Sequence, residues 1–191
     1  WDSAPAALMQ IIPYIESENN VSTNLRLVFM SGDWVPLRSP SILRMAFPNV
    51  TVVSLGGATE ATVWSNYYVV SQVDPGWSSI PYGRPIQNAK YYILDKSLRP
   101  CPIEVPGDLY IGGECLSSGY ANDPCLTSEK YIASPYGGDG QRIYRTGDTV
   151  RWRKEGYMEF MGRTDTQVKI RGYRIELGEI DSVLTEHSLV Q

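Results

Sequence analysis

Small, hydroxyl and acidic residues stand together in Gly56-Gly57-Ala58-Thr59-Glu60, directly after the apolar run NVTVVSL. Glycines let a backbone approach a phosphate closely, and successive N–H groups form a concave anion site. The Thr59 hydroxyl can donate a hydrogen bond to a phosphate oxygen, and a carboxylate such as that of Glu60 is a ligand type that Mg²⁺ accepts. The same residues also suit a tight turn that leads into a capped helix. The stretch alone leaves both interpretations open.

A second candidate is the stretch Tyr144-Arg145-Thr146-Gly147-Asp148. An aspartate at a turn after a strand can accept two hydrogen bonds from a ribose diol, as acidic residues do in dinucleotide-binding folds. An aspartate at such a turn can equally satisfy its own backbone. Taken by itself, the stretch favours the structural role.

The third candidate is the basic stretch GRTDTQVKIRGYRIE, in which four basic side chains fall within twelve residues. Arg163 and Lys169 carry charges that could neutralise phosphate groups. The alternative is an exposed edge strand whose charges protect it against aggregation.

Periodicity in the first half predicts the elements that position these stretches. Apolar spacing predicts a helix in PAALMQIIPYIESE and another in RSPSILRMAF, begun by Ser39 and Pro40. LRLVFMSG and NVTVVSLGG are short apolar runs that end in glycine, so they predict buried strands. The strand–helix–strand order predicts an α/β fold with a parallel layer, whose ligand-binding loops lie at the carboxyl edge of the sheet.

The second half changes character. The runs KYYILDKSLRP, GDLYIGGECLSSGYA, QRIYRTGDTVRWRKEGYMEFMG and QVKIRGYRIEL alternate polar and apolar residues between turns. Alternation predicts antiparallel strands with one wet face, and ELGEIDSVLTEH returns to a helical pattern. We predict a boundary near Gly162 to Thr166, which divides the chain into residues 1–164 and residues 165–191.

Composition narrows the function classes. A net charge of −4 without a basic stripe argues against a nucleic-acid partner. No apolar run approaches the ~18 residues of a membrane span, and the first ten residues do not form a signal peptide. We interpret Cys101, Cys115 and Cys125 as reduced thiols of a cytoplasmic protein, because their spacing fits no metal site. The missing initiator Met leads us to expect a chain that begins inside a larger protein.

The three stretches and GDLYIGGECLSSGYANDP resemble, in order and spacing, the core motifs of the adenylate-forming superfamily. Within it they are most similar to adenylation domains of nonribosomal peptide synthetases. SLGGATEATVW resembles the phosphate- and magnesium-binding segment, and YRTGDTV a later core motif. GRTDTQVKIRGYRIELGEID is close to the hinge motif nearly letter for letter. The resemblance implies the adenylate-forming-enzyme fold: the parallel α/β layer, an antiparallel β subdomain, and the start of a small α+β subdomain.

The resemblance also implies a reaction and its cofactors. An amino-acid carboxylate attacks the α-phosphorus of ATP, with Mg²⁺ present, and gives an aminoacyl-adenylate and pyrophosphate. A rotation of the small subdomain then admits the phosphopantetheine thiol of a peptidyl carrier domain, which takes the acyl group as a thioester. Both steps need stabilisation of developing charge.

Roles at the nucleotide site follow from the resemblance motif by motif. Thr59 and Gly57 should contact phosphate, and Glu60 should bind Mg²⁺. Asp148 should hold the ribose hydroxyls, Arg163 should reach the ribose or phosphates, and Phe160 should pack on adenine. The remaining implied roles are a hinge at Asp165 and a region near the carrier arm at Lys169 and Arg171.

The sequence departs from the family around Gly56, where most members have an aromatic residue followed by Gly-Pro-Thr-Glu. The resemblance therefore implies an aromatic wall under adenine that is missing on one side. The family's pocket positions fall on Asp2, Phe29, Ser31, Leu55, Val63 and Trp64. A largely apolar, fairly small pocket leads us to expect a small or medium amino-acid side chain, such as cysteine or an aliphatic residue. Keto and hydroxy acids stay open.

Two elements expected in the family are not found in the sequence: the Ser/Thr/Gly-rich phosphate loop and the catalytic lysine near the end of the small subdomain. We therefore expect the chain to be part of a longer synthetase, with a tailoring domain inserted after the hinge motif as one hypothesis. The alternatives are an acyl-CoA or aryl-acid ligase of the same superfamily and a non-catalytic scaffold with the same fold.

Overall fold

A computed structural model describes residues 1–18 and 22–186 of the chain. Its first half is a five-stranded sheet with the order β1-β2-β3-β4-β5. The strands are β1 (Asp2–Ser3), β2 (Leu27–Met30), β3 (Thr51–Gly56), β4 (Asn66–Val70) and β5 (Arg84–Pro85). The helices are α1 (Pro5–Glu18) and α2 (Ser39–Ala46), in agreement with the predicted helical periodicity.

A hydrophobic core lies between this sheet and its helices. β1, β2 and β3 are parallel, as the strand–helix–strand pattern predicts. Alternate residues of β2 and β3 join residues of both helices in one cluster, whose fully buried members include Leu8, Val28, Met30, Leu43 and Val52. This packing fixes where the carboxyl ends of β2 and β3 lie.

The sequence did not predict that β4 would return antiparallel to β3. Thr62 and Val63 both have positive φ angles, of 58° and 65°. These left-handed residues reverse the chain so that Gly56 lies opposite Asn66. A β-branched residue rarely adopts this conformation, so the turn carries no sequence signal of the kind that a glycine gives.

The second half is an antiparallel sheet with the order β10-β9-β7-β6, and a short strand β8 pairs with β9. Its strands are β6 (Ala89–Leu94), β7 (Gly107–Gly113), β8 (Tyr131–Ala133), β9 (Arg142–Trp152) and β10 (Met158–Arg163). Alternate residues from its strands form a second buried cluster, which includes Ile93, Leu109, Ile111, Val150 and Met158. Leu94, Tyr110 and Ile143 form a further buried cluster, and β7 is buried at five consecutive positions. The prediction of one wet face is therefore wrong for β7, which is buried on both faces.

Helix α3 (Pro124–Lys130) lies between β7 and β8 and was not predicted. It has no buried residue, so it leaves no apolar stripe in the sequence. Its start is nevertheless encoded, because the Asp123 side chain accepts a hydrogen bond from the Leu126 amide and Pro124 occupies the first turn.

After β10 the chain enters a separate two-stranded sheet made of β11 (Gln167–Ile170) and β12 (Tyr173–Glu176). Arg171 and Gly172 both have positive φ angles, 56° and 86°, which gives the tight hairpin turn that matches strand twist. Helix α4 (Leu177–Thr185) follows directly. Among the described residues, no helix combines the length and apolar character that crossing a membrane requires.

Candidate functional site

A cavity of about 630 Å³ lies where the two sheets and the β11–β12 hairpin meet. The carboxyl ends of β2 and β3 form one side, and residues of β9 and β10 form another. Hairpin residues from Gln167 to Arg174 contribute the remaining wall. Its volume falls within the range of roughly 300–1,000 Å³ that is usual for small-molecule sites.

The glycine stretch after β3 forms the floor of this cavity. A Cβ on Gly57 would lie 2.5 Å from the Val63 carbonyl oxygen and 2.7 Å from the Ser65 amide nitrogen. Both atoms belong to the backbone, so a side chain at this position would displace the main chain itself. Thr59, which starts a short 3-10 turn, is exposed and lines the cavity. A glycine is therefore required for the chain to fold back beneath Thr59.

Glu60 is buried, with 5% of its surface exposed, and it lies behind the cavity lining. Its Oε1 accepts hydrogen bonds from the Tyr120 hydroxyl at 2.6 Å and from Arg174 Nη1 at 2.9 Å. Burial acts to raise the pKa of Glu60, but these two hydrogen bonds, a backbone hydrogen bond and the charge of Arg174 together outweigh it, and the pKa is lowered. The carboxylate therefore stays ionised although it is buried.

The second oxygen of Glu60, Oε2, is buried and has no hydrogen-bond partner among the described residues. Mg²⁺ is commonly held by one or two carboxylates together with substrate phosphates. No cluster of three or more acidic, histidine or cysteine ligands occurs in the described part of the chain. A single ionised carboxylate with an unpaired oxygen fits a Mg²⁺ site that is completed by substrate phosphates.

Asp148 and Arg163 lie opposite each other on neighbouring strands β9 and β10. Arg163 donates to Asp148 Oδ1 and to the Thr146 carbonyl oxygen, and it forms a two-point ion pair with Asp165. Tyr82 donates from its hydroxyl to Asp148 Oδ2 at 3.2 Å. This network holds the Asp148 carboxylate at the cavity wall.

Burial and the charge of Arg163 shift the pKa values of Asp148 and Asp165 in opposite directions. Burial raises the pKa of Asp148, and the nearby Arg163 and Lys169 oppose that rise only in part. Burial also acts to raise the pKa of Asp165, but the hydrogen bonds and the charge of Arg163 outweigh burial, so this pKa is lowered. Arg163 thus engages the two aspartates through most of its donors, so it positions Asp148 in this structure.

The predicted substrate-pocket residues separate into two groups. Ser31, Leu55, Val63 and Trp64 line the cavity. Phe29 does not line it and instead packs against Trp64, with ring centroids 6.2 Å apart. Asp2 lies on the edge strand β1, is exposed, and pairs in register with Phe29.

Phe160 and Lys169 line the cavity, and Arg171 is exposed at the hairpin turn. Among the described residues, two hydrogen bonds tie the hairpin to the first half: the Gly172 amide donates to Asp33 Oδ2 at 3.2 Å, and Arg174 donates to Glu60. The structure thus gathers all three sequence stretches at one cavity.

Several residues of the site were given no role from sequence, among them Asp33, Trp34, Tyr82, Tyr120 and Arg174. Asp33 and Trp34 directly follow Ser31 and Gly32 at the end of β2, so their position after a buried strand was an available signal. Tyr82 belongs to the site because it donates to Asp148, 66 residues away, and Tyr120 because it donates to Glu60, 60 residues away. Local pattern carries no information about such pairs.

Comparison with known proteins gives a consistent assignment. Residues 1–121 match the family described as "AMP-binding enzyme". Bacitracin synthase 1 of Bacillus licheniformis is 45% identical over 187 residues, which cover 98% of this chain and 4% of that protein.

Two solved structures superpose on most of the chain. A crystal structure of the nonribosomal peptide synthetase FmoA3 in its alpha-methyl-L-serine-AMP-bound form has 41% identity and a TM-score of 0.80. It matches 94% of this chain and 20% of that one. PA1221, a nonribosomal peptide synthetase protein containing adenylation and PCP domains, has 26% identity and a TM-score of 0.86. That match covers 98% of this chain and 37% of PA1221. The chain therefore spans a small part of the length of the proteins that it resembles.

Proposed function

The chain belongs to the AMP-binding enzyme family, and from that membership we propose that it forms the nucleotide- and substrate-binding part of an amino-acid adenylation domain. In this proposal the full-length protein joins an amino-acid carboxylate to the α-phosphorus of ATP and releases pyrophosphate. The aminoacyl group then passes to the phosphopantetheine thiol of a peptidyl carrier domain. The similarity to nonribosomal peptide synthetases over nearly the whole chain supports this choice.

One observation carries the proposal: Thr59, Asp148 and Lys169, which are far apart in the sequence, line one cavity together. Thr59 offers a hydroxyl and neighbouring backbone amides to phosphate oxygens. Asp148 offers carboxylate oxygens to ribose hydroxyls, and Lys169 supplies positive charge at the same wall. These three kinds of group match the phosphate oxygens, the ribose hydroxyls and the negative charge of a nucleotide.

Mg²⁺ would be held by Glu60 together with phosphate oxygens, and it would neutralise charge on the phosphates when bound. The protein's own contribution is to keep Glu60 ionised through Tyr120 and Arg174. The glycine floor at Gly57 keeps the backbone close to the phosphate path.

Ser31, Leu55, Val63 and Trp64 form the part of the cavity that we assign to the amino-acid side chain. Three of the four are apolar, and Trp64 is backed by Phe29. A charged side chain would find no compensating charge among these four residues. We propose a small or medium substrate such as cysteine or an aliphatic amino acid.

We further propose that residues 165–191 begin a mobile small subdomain that turns at Asp165 and presents Lys169 and Arg171 to the carrier arm. The two-point ion pair between Arg163 and Asp165 lies at the proposed hinge. Rotation there would have to rearrange this pair as well as the Arg174–Glu60 and Gly172–Asp33 hydrogen bonds.

Amino-acid-dependent exchange of pyrophosphate into ATP by the full-length protein tests the activity. We expect exchange with small or medium amino acids and none with fatty or aryl acids. Exchange with aryl or fatty acids alone would instead assign the chain to an acid ligase of the same family, and exchange with keto acids would change the substrate class. No exchange with any acid would favour a scaffold.

Asp148→Ala should raise the KM for ATP about 10- to 100-fold, since hydrogen bonds to a charged group contribute about 1.5–3 kcal/mol. The matched control is Asp123→Ala, which removes a carboxylate that caps α3 away from the cavity. If Asp148→Ala leaves the KM for ATP at the control value, the ribose role of Asp148 is wrong.

A further inference from the structure

A side chain at Gly56, where the motif resemblance implies an aromatic residue, would meet side chains that already occupy the space. A Cβ built on Gly56 would lie 2.5 Å from Asn66 Oδ1, 2.9 Å from Asn66 Nδ2 and 3.0 Å from Tyr82 Cε2. Asn66 is itself buried and held by Tyr91, whose hydroxyl accepts a hydrogen bond from Nδ2 at 3.1 Å. The space beside Gly56 is therefore filled by the protein's own polar core, and the planar wall must come from elsewhere.

Trp34 is a large aromatic residue at the same cavity with 48% of its surface exposed. Its indole ring meets Phe160 at 5.1 Å between centroids, with an interplanar angle of 76°. Phe160 in turn meets Tyr82 at 5.8 Å, and Tyr82 donates to Asp148. A continuous aromatic wall thus runs from Trp34 to the carboxylate that we assign to the ribose.

The backbone around Trp34 is fixed on both sides. Asp33 accepts from the Trp34 amide at 2.8 Å and from the Gly172 amide of the hairpin. Val35 is buried in the first core, and its carbonyl oxygen accepts from the Ile80 amide at 3.2 Å. The loop is thus anchored in the core, while the indole itself extends into the cavity.

We propose that Trp34 is a base-positioning residue that, with Phe160, holds the adenine ring in place of the aromatic side chain missing at Gly56. The inference rests on the proposed function and names a determinant of nucleotide binding within it. The two rings are close to perpendicular, so a planar base that lies flat on one of them presents its edge to the other. Both arrangements are favourable for aromatic rings.

The test compares the full-length wild type with Trp34→Ala, Trp34→Leu and Trp34→Phe. Base–aromatic stacking is lost in the first two, which should raise the dissociation constant for ATP about 10-fold. Trp34→Phe restores a ring and should bind ATP within about threefold of the wild type. In pyrophosphate exchange the KM for ATP should rise in parallel, while the KM for the amino acid and kcat stay near wild-type values.

Tyr14→Ala is the matched control, because Tyr14 is an exposed aromatic residue on α1 outside the cavity. If Trp34→Ala fails to fold, Trp34→Leu carries the same comparison with a bulky side chain. Rescue by Phe but not by Leu separates a stacking role from a space-filling one.

The possible failures are distinguishable. A wild type that binds no ATP overturns the proposed function and this inference with it. A wild type that binds ATP with the same affinity as Trp34→Ala overturns only the role of Trp34. Equal loss in all three variants, or a KM for the amino acid that rises as much as that for ATP, would show that Trp34 only supports the local fold.

Discussion

The Glu60 carboxylate is both buried and ionised, two properties that oppose each other. Its burial disfavours charge, yet the Mg²⁺ role that we propose for it needs the ionised form. Tyr120 and Arg174 resolve the conflict by donating to Oε1, while Oε2 stays unpaired among the described residues. The cost falls on Tyr120, whose pKa is raised to about 12 first by burial and then by its bond to Glu60.

Glu60→Gln should make the stability less dependent on pH. Because the pKa of Glu60 is lowered in the folded state, the folded protein binds fewer protons than the unfolded chain near and below the unfolded pKa of about 4.3. Stability from this group is complete above that pH and is lost as the pH falls through the folded pKa. Urea unfolding between pH 6 and pH 3 should therefore show a shallower decline in Glu60→Gln than in the wild type.

Glu114→Gln provides the control, since Glu114 is exposed. Its unfolding free energy should follow the wild type across the same pH range. Equal slopes for wild type and Glu60→Gln would mean that the Arg174 and Tyr120 contacts do not stabilise the charged form.

At the scale of elements, the helices and strands with strong periodicity were predictable, and the connections between them were not. PAALMQIIPYIESE is the whole of α1, and the alternating runs became β6, β7, β9, β10 and the β11–β12 hairpin. β4 was not predicted because the reversal before it depends on left-handed Thr62 and Val63, and β5 has only two residues, too few to show a period. α3 escaped because it buries nothing.

The candidate site divides in the same way. Local motifs in the sequence allowed roles to be predicted for Gly57, Thr59, Glu60, Asp148 and Arg163. Their partners could not, because Arg174 lies 114 residues from Glu60 and Tyr82 lies 66 residues from Asp148. Tertiary pairing, which no local pattern encodes, decides which carboxylate oxygen remains available.

Leu43→Ala in α2 tests how the helix is held to the first sheet. Leu43 is fully buried in the first core, so its truncation should lower the free energy of unfolding by about 2–5 kcal/mol. Met45→Ala lies two residues away on the same helix, but Met45 is 78% exposed, and we expect a change within about 0.5 kcal/mol. Denaturant unfolding of both variants measures the difference; similar losses would place the helix in a different rotation.

For the whole molecule, the β11–β12 hairpin is joined to the first half by few contacts. Arg174 binds Glu60, and the Gly172 amide binds Asp33. Arg174 is 44% exposed while Glu60 is buried, so solvent weakens the pair less than it would two exposed charges. The ion pair is therefore a principal link between the hairpin and the cavity floor.

Arg174→Met should loosen the hairpin without unfolding the sheets. It removes the charged donor but retains much of the apolar stem, and it leaves a buried carboxylate that costs about 1–3 kcal/mol when under-satisfied. Hydrogen exchange should quicken at the β11–β12 amides and stay unchanged in β7 and β9. Arg171→Met is the control, because Arg171 is exposed at the turn; equal protection of the hairpin in both variants would show that the pair does not hold it.

The length of chain between the cavity's contacts has a consequence for folding kinetics. The Gly172–Asp33 and Arg174–Glu60 contacts close loops of 139 and 114 residues, whereas β11 and β12 pair across a two-residue turn. Closing a longer loop costs more entropy, by about 0.6 kcal/mol for each doubling, and non-local contacts form slowly. During refolding, strands and hairpins should accordingly appear before the cavity is complete, so the capacity to bind a ligand is gained late.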